Sequence, residues 1–214
     1  MIKLCYNFTM QGYIININKV RDEDLIVTIL GETNIYTTYR FYGARHSTIN
    51  IGYKIDFELE SNIKSNITRL KDVLHLGFPW LLDREKLYCW QRFIKLFHPH
   101  LREVDNIDNF YLKLLNNLAH KMIKQNPKRA IIESYVKLCE YEGRLHCEYE
   151  CLLCDEKIID NISLVRSFLP THSSCSYGKP FDIVIIKELF EEKSLINFDD
   201  EEVEYIWNIL LQGL

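Results

Sequence analysis

The chain has 214 residues, of which 47% are hydrophobic, and carries a formal net charge of −4. This length suffices for two small domains with separate cores, and no run of about eighteen apolar residues predicts a transmembrane helix. The N-terminus is too polar for a secretory signal, so we expect a cytoplasmic protein that does not contact a membrane.

The charge is unevenly distributed along the chain. Residues 1–78 contain nine Lys and Arg against eight Asp and Glu, whereas the remaining residues contain seventeen against twenty-two. Neither part has the strongly basic balance of a typical DNA-binding domain, so any nucleic acid must bind to a local patch. The seven cysteines, in a chain without an export signal, favour reduced thiols and a metal site over disulfides.

The first 78 residues predict five β-strands. In the clearest, 51–60, Ile51, Tyr53, Ile55, Phe57 and Leu59 alternate with Gly52 and with charged residues, which indicates one buried and one solvated face. The other predicted strands are 11–20, 25–30, 35–42 and 66–76. Five such strands fit a small closed barrel such as an OB fold, and the alternative is a generic five-stranded barrel or sandwich with another role.

After Pro79 the apolar residues take the spacing of helices. Asp83 predicts the N-cap of the first helix, and Asn126-Pro127 and Gly143 predict the start and end of a later one. The first predicted helix carries the apolar residues Leu87, Trp90, Phe93, Ile94 and Phe97, and the others are expected at 106–124, 128–142, 181–193 and 199–211.

A metal-ligand pattern interrupts these helices. Cys151-x2-Cys154 is followed, after seventeen residues, by His172-x2-Cys175. Two tight pairs of soft ligands on one short segment are typical of a tetrahedral structural Zn²⁺ site. The sequence therefore predicts a zinc knuckle at about residues 147–176, with chance clustering of cysteines as the alternative. Two neighbours, His146 and Cys147, are close enough in sequence to replace His172 as a ligand.

The expected fold class is α+β multidomain. An N-terminal OB-fold β-barrel (1–78) is followed by an all-α domain (79–214) that carries the zinc knuckle. The pattern argues against an enzyme, because four protein ligands leave the metal no position for a reactive water. His146-Cys147-Glu148 imitates part of a zinc deaminase motif, but only two residues separate Glu148 from Cys151, too few for that active site.

Cations and tyrosines are interleaved along the predicted barrel. An OB barrel binds unpaired strands by contacting phosphates with cations and by stacking bases on aromatic rings. The alternative is that the cations are ordinary solvated side chains and many of the tyrosines are core residues. The candidate DNA-binding residues are Arg40, Arg45, His46, Lys54, Arg69 and Lys71, interleaved with Tyr36, Tyr39, Tyr42 and Tyr53.

Several segments, in order, resemble the bacterial recombination and repair family RecO. The acidic turn and strand at 22–32 resemble the family's first hairpin, and Gly43-Ala44-Arg45 resembles the turn after its third strand. Residues 67–71 resemble its last barrel strand. Residues 132–138, followed by Gly143 and by 151–154, are similar to its last helix before a zinc knuckle.

The resemblance implies a non-catalytic, nucleoid-associated protein with an OB domain and a zinc-bearing helical domain. Such a protein binds single- and double-stranded DNA, anneals strands, and works with RecR and single-stranded DNA-binding protein to help load RecA. The chain departs from the family pattern at His172, where a cysteine is usual, and at Asp155, where a glycine is common. Its barrel is also less basic, so a protein-protein adaptor with incidental DNA contact is the alternative function.

Overall fold

The computed structural model describes residues 10–61 and 67–214. The chain divides into two compact units, Met1–Asn117 and Leu118–Leu214. The first unit includes the barrel and a helix that follows it. The domain boundary that the sequence analysis placed after residue 78 therefore stays a prediction.

A closed β-barrel dominates the first unit. Its strands are β1 (Met10–Lys19), β2 (Leu25–Leu30), β3 (Ile35–Arg40), β4 (Lys54–Glu60) and β5 (Thr68–His75). They are arranged in the order β1-β2-β3-β5-β4, with β4 returning to β1. The β3–β5 pair is parallel and the other pairs are antiparallel. This five-stranded closure confirms the predicted OB-type barrel. The predicted start of the last strand, Asn66, lies outside the described residues.

The interior of the barrel is filled by the apolar residues that alternate along the strands. Ile55 and Phe57 of β4 are fully buried, while Lys54, Asp56 and Glu58 between and beside them are half-exposed. Each such buried side chain contributes about 1.5–3 kcal/mol of transfer free energy. The barrel core consists of Ile14, Leu25, Val27, Ile29, Ile49, Ile55, Phe57 and Leu70.

Gly52 lies in a turn before β4 and not on the outer face of the strand as the sequence predicted. Its φ is +84°, and its amide donates to the carbonyl of Ile14 at 2.8 Å. Its carbonyl accepts a hydrogen bond of 2.8 Å from the indole Nε1 of Trp90. A Cβ at this position would lie 2.7 Å from that nitrogen. Glycine is therefore required where the barrel meets the helix that follows it.

Two helices follow the barrel strands. α1 (Arg84–His100) begins where the Asp83 side chain accepts a hydrogen bond from the Lys86 amide, as predicted. The buried face of α1 carries Cys89, Trp90, Phe93, Ile94 and Phe97. α2 (Phe110–Lys121) follows, and the division between the two units falls within it.

The second unit is mainly helical. Its helices are α3 (Pro127–Tyr141), α5 (Ile183–Glu192) and α6 (Asp200–Leu210). α3 contacts both α5 and α6, and Ile131, Tyr135, Ile186 and Trp207 on these helices are buried. Asn126 caps α3, with Pro127 in its first turn, and Gly143 follows with φ of +66°. These are the boundary signals on which the sequence prediction depended.

The sequence prediction missed a small antiparallel sheet in the second unit. Its strands are β6 (Asn161–Val165), β7 (Leu169–Thr171) and β8 (Phe181–Asp182), in the order β7-β6-β8. A one-turn helix, α4 (Ser173–Ser176), directly follows β7. The hairpin of β6 and β7 positions the second pair of predicted metal ligands.

Among residues 10–61 and 67–214, no helix has both the length and the apolar character needed to cross a membrane.

Candidate metal centre and nucleic-acid surface

The first pair of predicted ligands lies in a tight turn of the backbone. Residues Glu150 and Lys157 form an antiparallel bridge, and the Cys151 amide donates to the Glu156 carbonyl at 2.9 Å. Within this turn the Asp155 amide donates to the Cys151 carbonyl at 2.8 Å. Cys151 is buried and Cys154 is exposed, and their sulfur atoms lie within 4.8 Å of each other.

Asp155 adopts a left-handed conformation, with φ of +58°. Glycine enters this region without steric cost, and aspartate enters it more readily than most residues. The position at which the sequence resemblance led us to expect glycine is thus one where the backbone adopts a positive φ.

The second pair lies at the start of α4. His172 is the N-cap residue of this turn, and the Cys175 amide donates to the His172 carbonyl at 3.0 Å. A spacing of three residues on one helical turn places both side chains on the same face. A backbone hydrogen bond joins the two segments, since the Leu152 amide donates to the Pro170 carbonyl at 3.0 Å.

The four predicted ligands converge. One ligand atom from each of Cys151, Cys154, His172 and Cys175 lies within 4.8 Å of the others. The Cys154 sulfur lies 3.4 Å from His172 Nδ1 and 3.9 Å from the Cys175 sulfur. The Cys175 sulfur lies 3.9 Å from the same imidazole nitrogen.

These separations can be compared with the edges of a tetrahedron. Bond lengths of about 2.3 Å for Zn–S and about 2.0 Å for Zn–N place two sulfurs about 3.8 Å apart, and a sulfur and a nitrogen about 3.5 Å apart. The distances among the three measured ligand atoms agree with these values to within about 0.4 Å. The residues therefore fit a single four-coordinate Zn²⁺.

The second nitrogen of the histidine is also held. His172 Nε2 lies 3.3 Å from the Lys157 carbonyl oxygen. If Nδ1 binds a metal ion, the neutral imidazole carries its proton on Nε2 and donates a hydrogen bond to this carbonyl. Metal-ligating histidines typically use this arrangement, because it fixes both the tautomer and the ring orientation.

The thiols of the first pair have opposite pKa shifts. Burial acts to raise the pKa of the Cys151 thiol, but hydrogen bonds from backbone amides, that of His172 foremost, outweigh it and lower the pKa to about 6. At Cys154 the Glu156 amide acts to lower the pKa, but burial and the thiols of Cys151 and Cys175 raise it overall. Mutual repulsion of thiolates is the interaction that a bound divalent cation removes.

His172 belongs to the group of convergent ligand atoms, and its two possible replacements do not. His146 and Cys147 do not belong to the group of convergent ligand atoms found among the described residues. Cys147 is exposed, and partial desolvation of its sulfur together with the charge of Glu148 raises the pKa of its thiol.

The predicted DNA-binding residues lie on two ends of the barrel. Arg45 ends a 3-10 turn at Gly43–Arg45, is 63% exposed, and forms an ion pair with Glu23. His46 follows it and is exposed.

Lys54 lies six residues before Glu60 along β4, about 20 Å away. Its side chain is half-buried, and burial lowers the pKa of its amino group. Lys54 therefore lies apart from Arg69 and Lys71, which contact Glu60.

Arg69 and Lys71 project from β5 and share one carboxylate. Glu60 accepts from Arg69 Nη1 at 3.3 Å and from Lys71 Nζ at 2.5 Å. The hydrogen bond from Lys71 is the main reason that the pKa of Glu60 is lowered. Arg40 uses its guanidinium within the barrel, since Nη1 donates to the Leu70 carbonyl at 2.8 Å.

The tyrosines also divide into packed and exposed rings. Tyr36 packs edge-on against Phe57, and Tyr53 stacks on His75 at 3.9 Å, so both rings contribute to barrel packing. Tyr42 is 59% exposed, and its neighbour Phe41, which the sequence pattern did not single out, is 44% exposed. Phe41 is itself aromatic and lies between Arg40 and Tyr42, two residues that the sequence analysis did single out. This position in the sequence was the signal that could have identified it.

The barrel has a counterpart among known protein families. No curated protein matches the chain. Residues 10–81 match a family model described as RecO N terminal, and these residues contain all five barrel strands. Over residues 10–81, the chain is therefore similar to the N-terminal domain of RecO proteins.

Proposed function

We propose that the protein is a non-catalytic recombination mediator in DNA repair that binds single- and double-stranded DNA through its barrel. The observation that carries this proposal is the match of residues 10–81 to the RecO N-terminal model, over a closed OB-type barrel. Arg45, Arg69 and Lys71 lie on that barrel with partly exposed side chains and are the proposed phosphate contacts. His46 and Arg40 flank them.

The remaining activities are proposed from the family resemblance. They are the annealing of complementary strands, cooperation with RecR and single-stranded DNA-binding protein, and assistance to RecA loading. A protein with these partners acts at the nucleoid in the cytoplasm.

A structural Zn²⁺ held by Cys151, Cys154, His172 and Cys175 completes the proposal. Because all four ligands come from the protein, the ion stabilises the fold of the knuckle and does not activate water. The absence of an open coordination position supports a non-enzymatic role for this centre.

One observation favours the adaptor alternative. Arg45, Arg69 and Lys71 are each paired with a carboxylate of the barrel itself. Cations that are already neutralised attract phosphates less strongly, so the barrel has little excess positive potential. An adaptor of this fold would bind partner proteins and have no salt-dependent affinity for DNA.

Oligonucleotide binding at two salt concentrations distinguishes the two functions. If the barrel neutralises phosphates, the logarithm of the binding constant for a single strand falls by about 0.7 per phosphate contact and per log unit of salt. The Arg69→Gln and Lys71→Gln variants reduce this slope, whereas Lys95→Gln, which removes an exposed cation from α1, leaves it unchanged. Salt-independent or undetectable binding by the full chain would leave the adaptor function.

A further inference from the structure

We propose that the exposed rings of Phe41 and Tyr42 form a base-stacking platform that makes the barrel bind unpaired DNA in preference to duplex. This inference rests on the proposed DNA binding and assigns the part of the surface that recognises bases.

The two rings are unusual for the barrel in being exposed. Phe41 is 44% and Tyr42 is 59% exposed, although they follow β3 directly and precede the 3-10 turn at Gly43–Arg45. A stacking platform needs solvent-accessible aromatic surface, because unpaired bases stack on it.

Each ring has an arginine beside it. The guanidinium carbon of Arg69 lies 4.5 Å from the centre of the Phe41 ring, and that of Arg45 lies 5.1 Å from the centre of the Tyr42 ring. A cation over an aromatic face is an attractive pair. The arrangement places a phosphate-binding group next to each ring, as binding to a single strand requires. An aromatic ring beside a cation matches a base beside its phosphate, which a nucleic-acid strand offers and an apolar protein segment does not.

Asp24 holds both rings in position. Its Oδ2 accepts a hydrogen bond of 2.6 Å from the hydroxyl of Tyr39, whose ring packs edge-on against Phe41 at 4.8 Å. Its Oδ1 accepts one of 2.8 Å from the backbone amide of Tyr42. These bonds are the main reason that the pKa of the Asp24 carboxyl is lowered.

The backbone of Tyr42 is strained, with φ of +50°. A bulky residue in the left-handed region costs free energy, and the hydrogen bond to Asp24 and the following 3-10 turn maintain this conformation. A backbone that is already fixed loses little conformational entropy when a base stacks on the ring it carries. Asp24 is thus a positioning residue of the platform.

Stacking distinguishes single strands from duplex. In a duplex the base faces are covered by neighbouring base pairs, and exposing one costs a few kcal/mol. Phosphates are present in both forms, so cations alone discriminate weakly. The rings of Phe41 and Tyr42 therefore increase the affinity for single-stranded DNA and not the affinity for duplex DNA.

The test uses the full-length chain and three probes of one sequence: a single strand, the same strand with abasic sites, and the duplex. The abasic strand keeps the phosphates and lacks base faces. The wild-type protein is expected to bind the intact strand most tightly. Phe41→Leu and Tyr42→Leu each weaken that binding by about 5- to 100-fold, with less than a twofold change for the other two probes.

Two controls accompany these variants. Leu74→Ala trims another exposed apolar side chain, 62% exposed on β5, and leaves all three affinities unchanged. Tyr42→Phe keeps the aromatic face and retains binding of the intact strand. Thermal melting of each variant shows whether it is folded.

The outcomes separate this inference from the proposed function. If the wild-type protein binds none of the probes, DNA binding itself is wrong. If it binds the intact and abasic strands equally, the barrel binds DNA but the stacking platform is wrong, and this result needs no variant. Full retention of single-strand binding by the folded Phe41→Leu, Tyr42→Leu double variant would also overturn the platform.

Discussion

Arg69 reaches Glu60 across the β4–β5 pair, with Nη1 of the arginine 3.3 Å from Oε2 of the carboxylate. The two residues are direct partners in the strand register. Lys71 contacts the other oxygen of Glu60 at 2.5 Å. One carboxylate thus forms ion pairs with two of the cations that are proposed to contact phosphates.

Removing this carboxylate charge is expected to strengthen DNA binding. In Glu60→Gln, Arg69 and Lys71 lose their competing anion, so single-strand affinity at low salt rises by about tenfold and its salt dependence becomes steeper. Fluorescence anisotropy over a salt series measures both quantities. Glu58→Gln removes the same charge from the same strand without breaking that bridge and gives a smaller gain. Weaker binding by Glu60→Gln would show that Glu60 supports the surface instead of competing at it.

The identity of the fourth metal ligand gives a second prediction. His172→Ala is expected to lower the zinc content below one ion per chain, because it removes one of the four convergent ligand atoms. His172→Cys restores the four-cysteine set usual in the RecO family and retains the ion. Atomic absorption of the purified variants measures the stoichiometry. His146→Ala and Cys147→Ser are the controls and keep full zinc. Loss of zinc in either control would place that residue among the ligands.

Removal of the metal is expected to loosen the segment around β6 and β7. Without the cation, the thiols of Cys151, Cys154 and Cys175 lose the interaction that holds the two pairs together. Mild chelation therefore exposes residues 147–176 to proteolysis and lowers the melting temperature. Added Zn²⁺ reverses both effects. Mass spectrometry of the first cleavage products locates the loosened segment. First cleavage elsewhere, with residues 147–176 still protected, would contradict a structural role for the ion.

Asp155 offers a test of the knuckle backbone. At φ of +58°, Asp155→Gly removes steric strain, whereas Asp155→Val introduces a β-branched residue that this conformation tolerates poorly. We expect the valine variant to be about 1–2 kcal/mol less stable than the glycine variant. Urea denaturation of the zinc-loaded proteins measures the difference. Equal stability of the two variants would show that the turn relaxes to negative φ.

The contact between Gly52 and Trp90 gives a prediction for the barrel. Gly52→Ala introduces a Cβ 2.7 Å from the indole nitrogen, in addition to the strain of a positive φ. Gly77 is the matched control, because its φ is +67° and nothing lies within 4 Å of the position that an added methyl group would take. We expect Gly77→Ala to cost about 1 kcal/mol and Gly52→Ala about 1–3 kcal/mol more. Denaturant unfolding measures both, and equal losses would exclude the steric contribution.

The sequence predicted the features that have a regular local pattern. β2 was expected at 25–30 and lies at Leu25–Leu30, and the Asp83 cap was expected where α1 begins. The two tight ligand pairs were recognised from their spacing alone. Each of these signals is contained within a few neighbouring residues.

The features that the sequence did not predict depend on contacts between distant residues. β6, β7 and β8 have only five, three and two residues, too few for a period to be recognised. Gly52 fits the alternation of β4, and its place in a turn depends on contacts with Ile14 and Trp90. The neutralisation of Arg69 by Glu60 depends on strand register, which the individual strand patterns do not determine.

The parallel pairing of β3 with β5 has a consequence for synthesis of the chain. Thr38 pairs with Thr68, so β3 has no partner on one side until the ribosome has released the last barrel strand. During that interval the nascent sheet exposes a free edge, which can pair with a strand of another chain. Truncations that end before residue 68 should therefore aggregate, whereas those that extend past His75 can close the sheet on themselves.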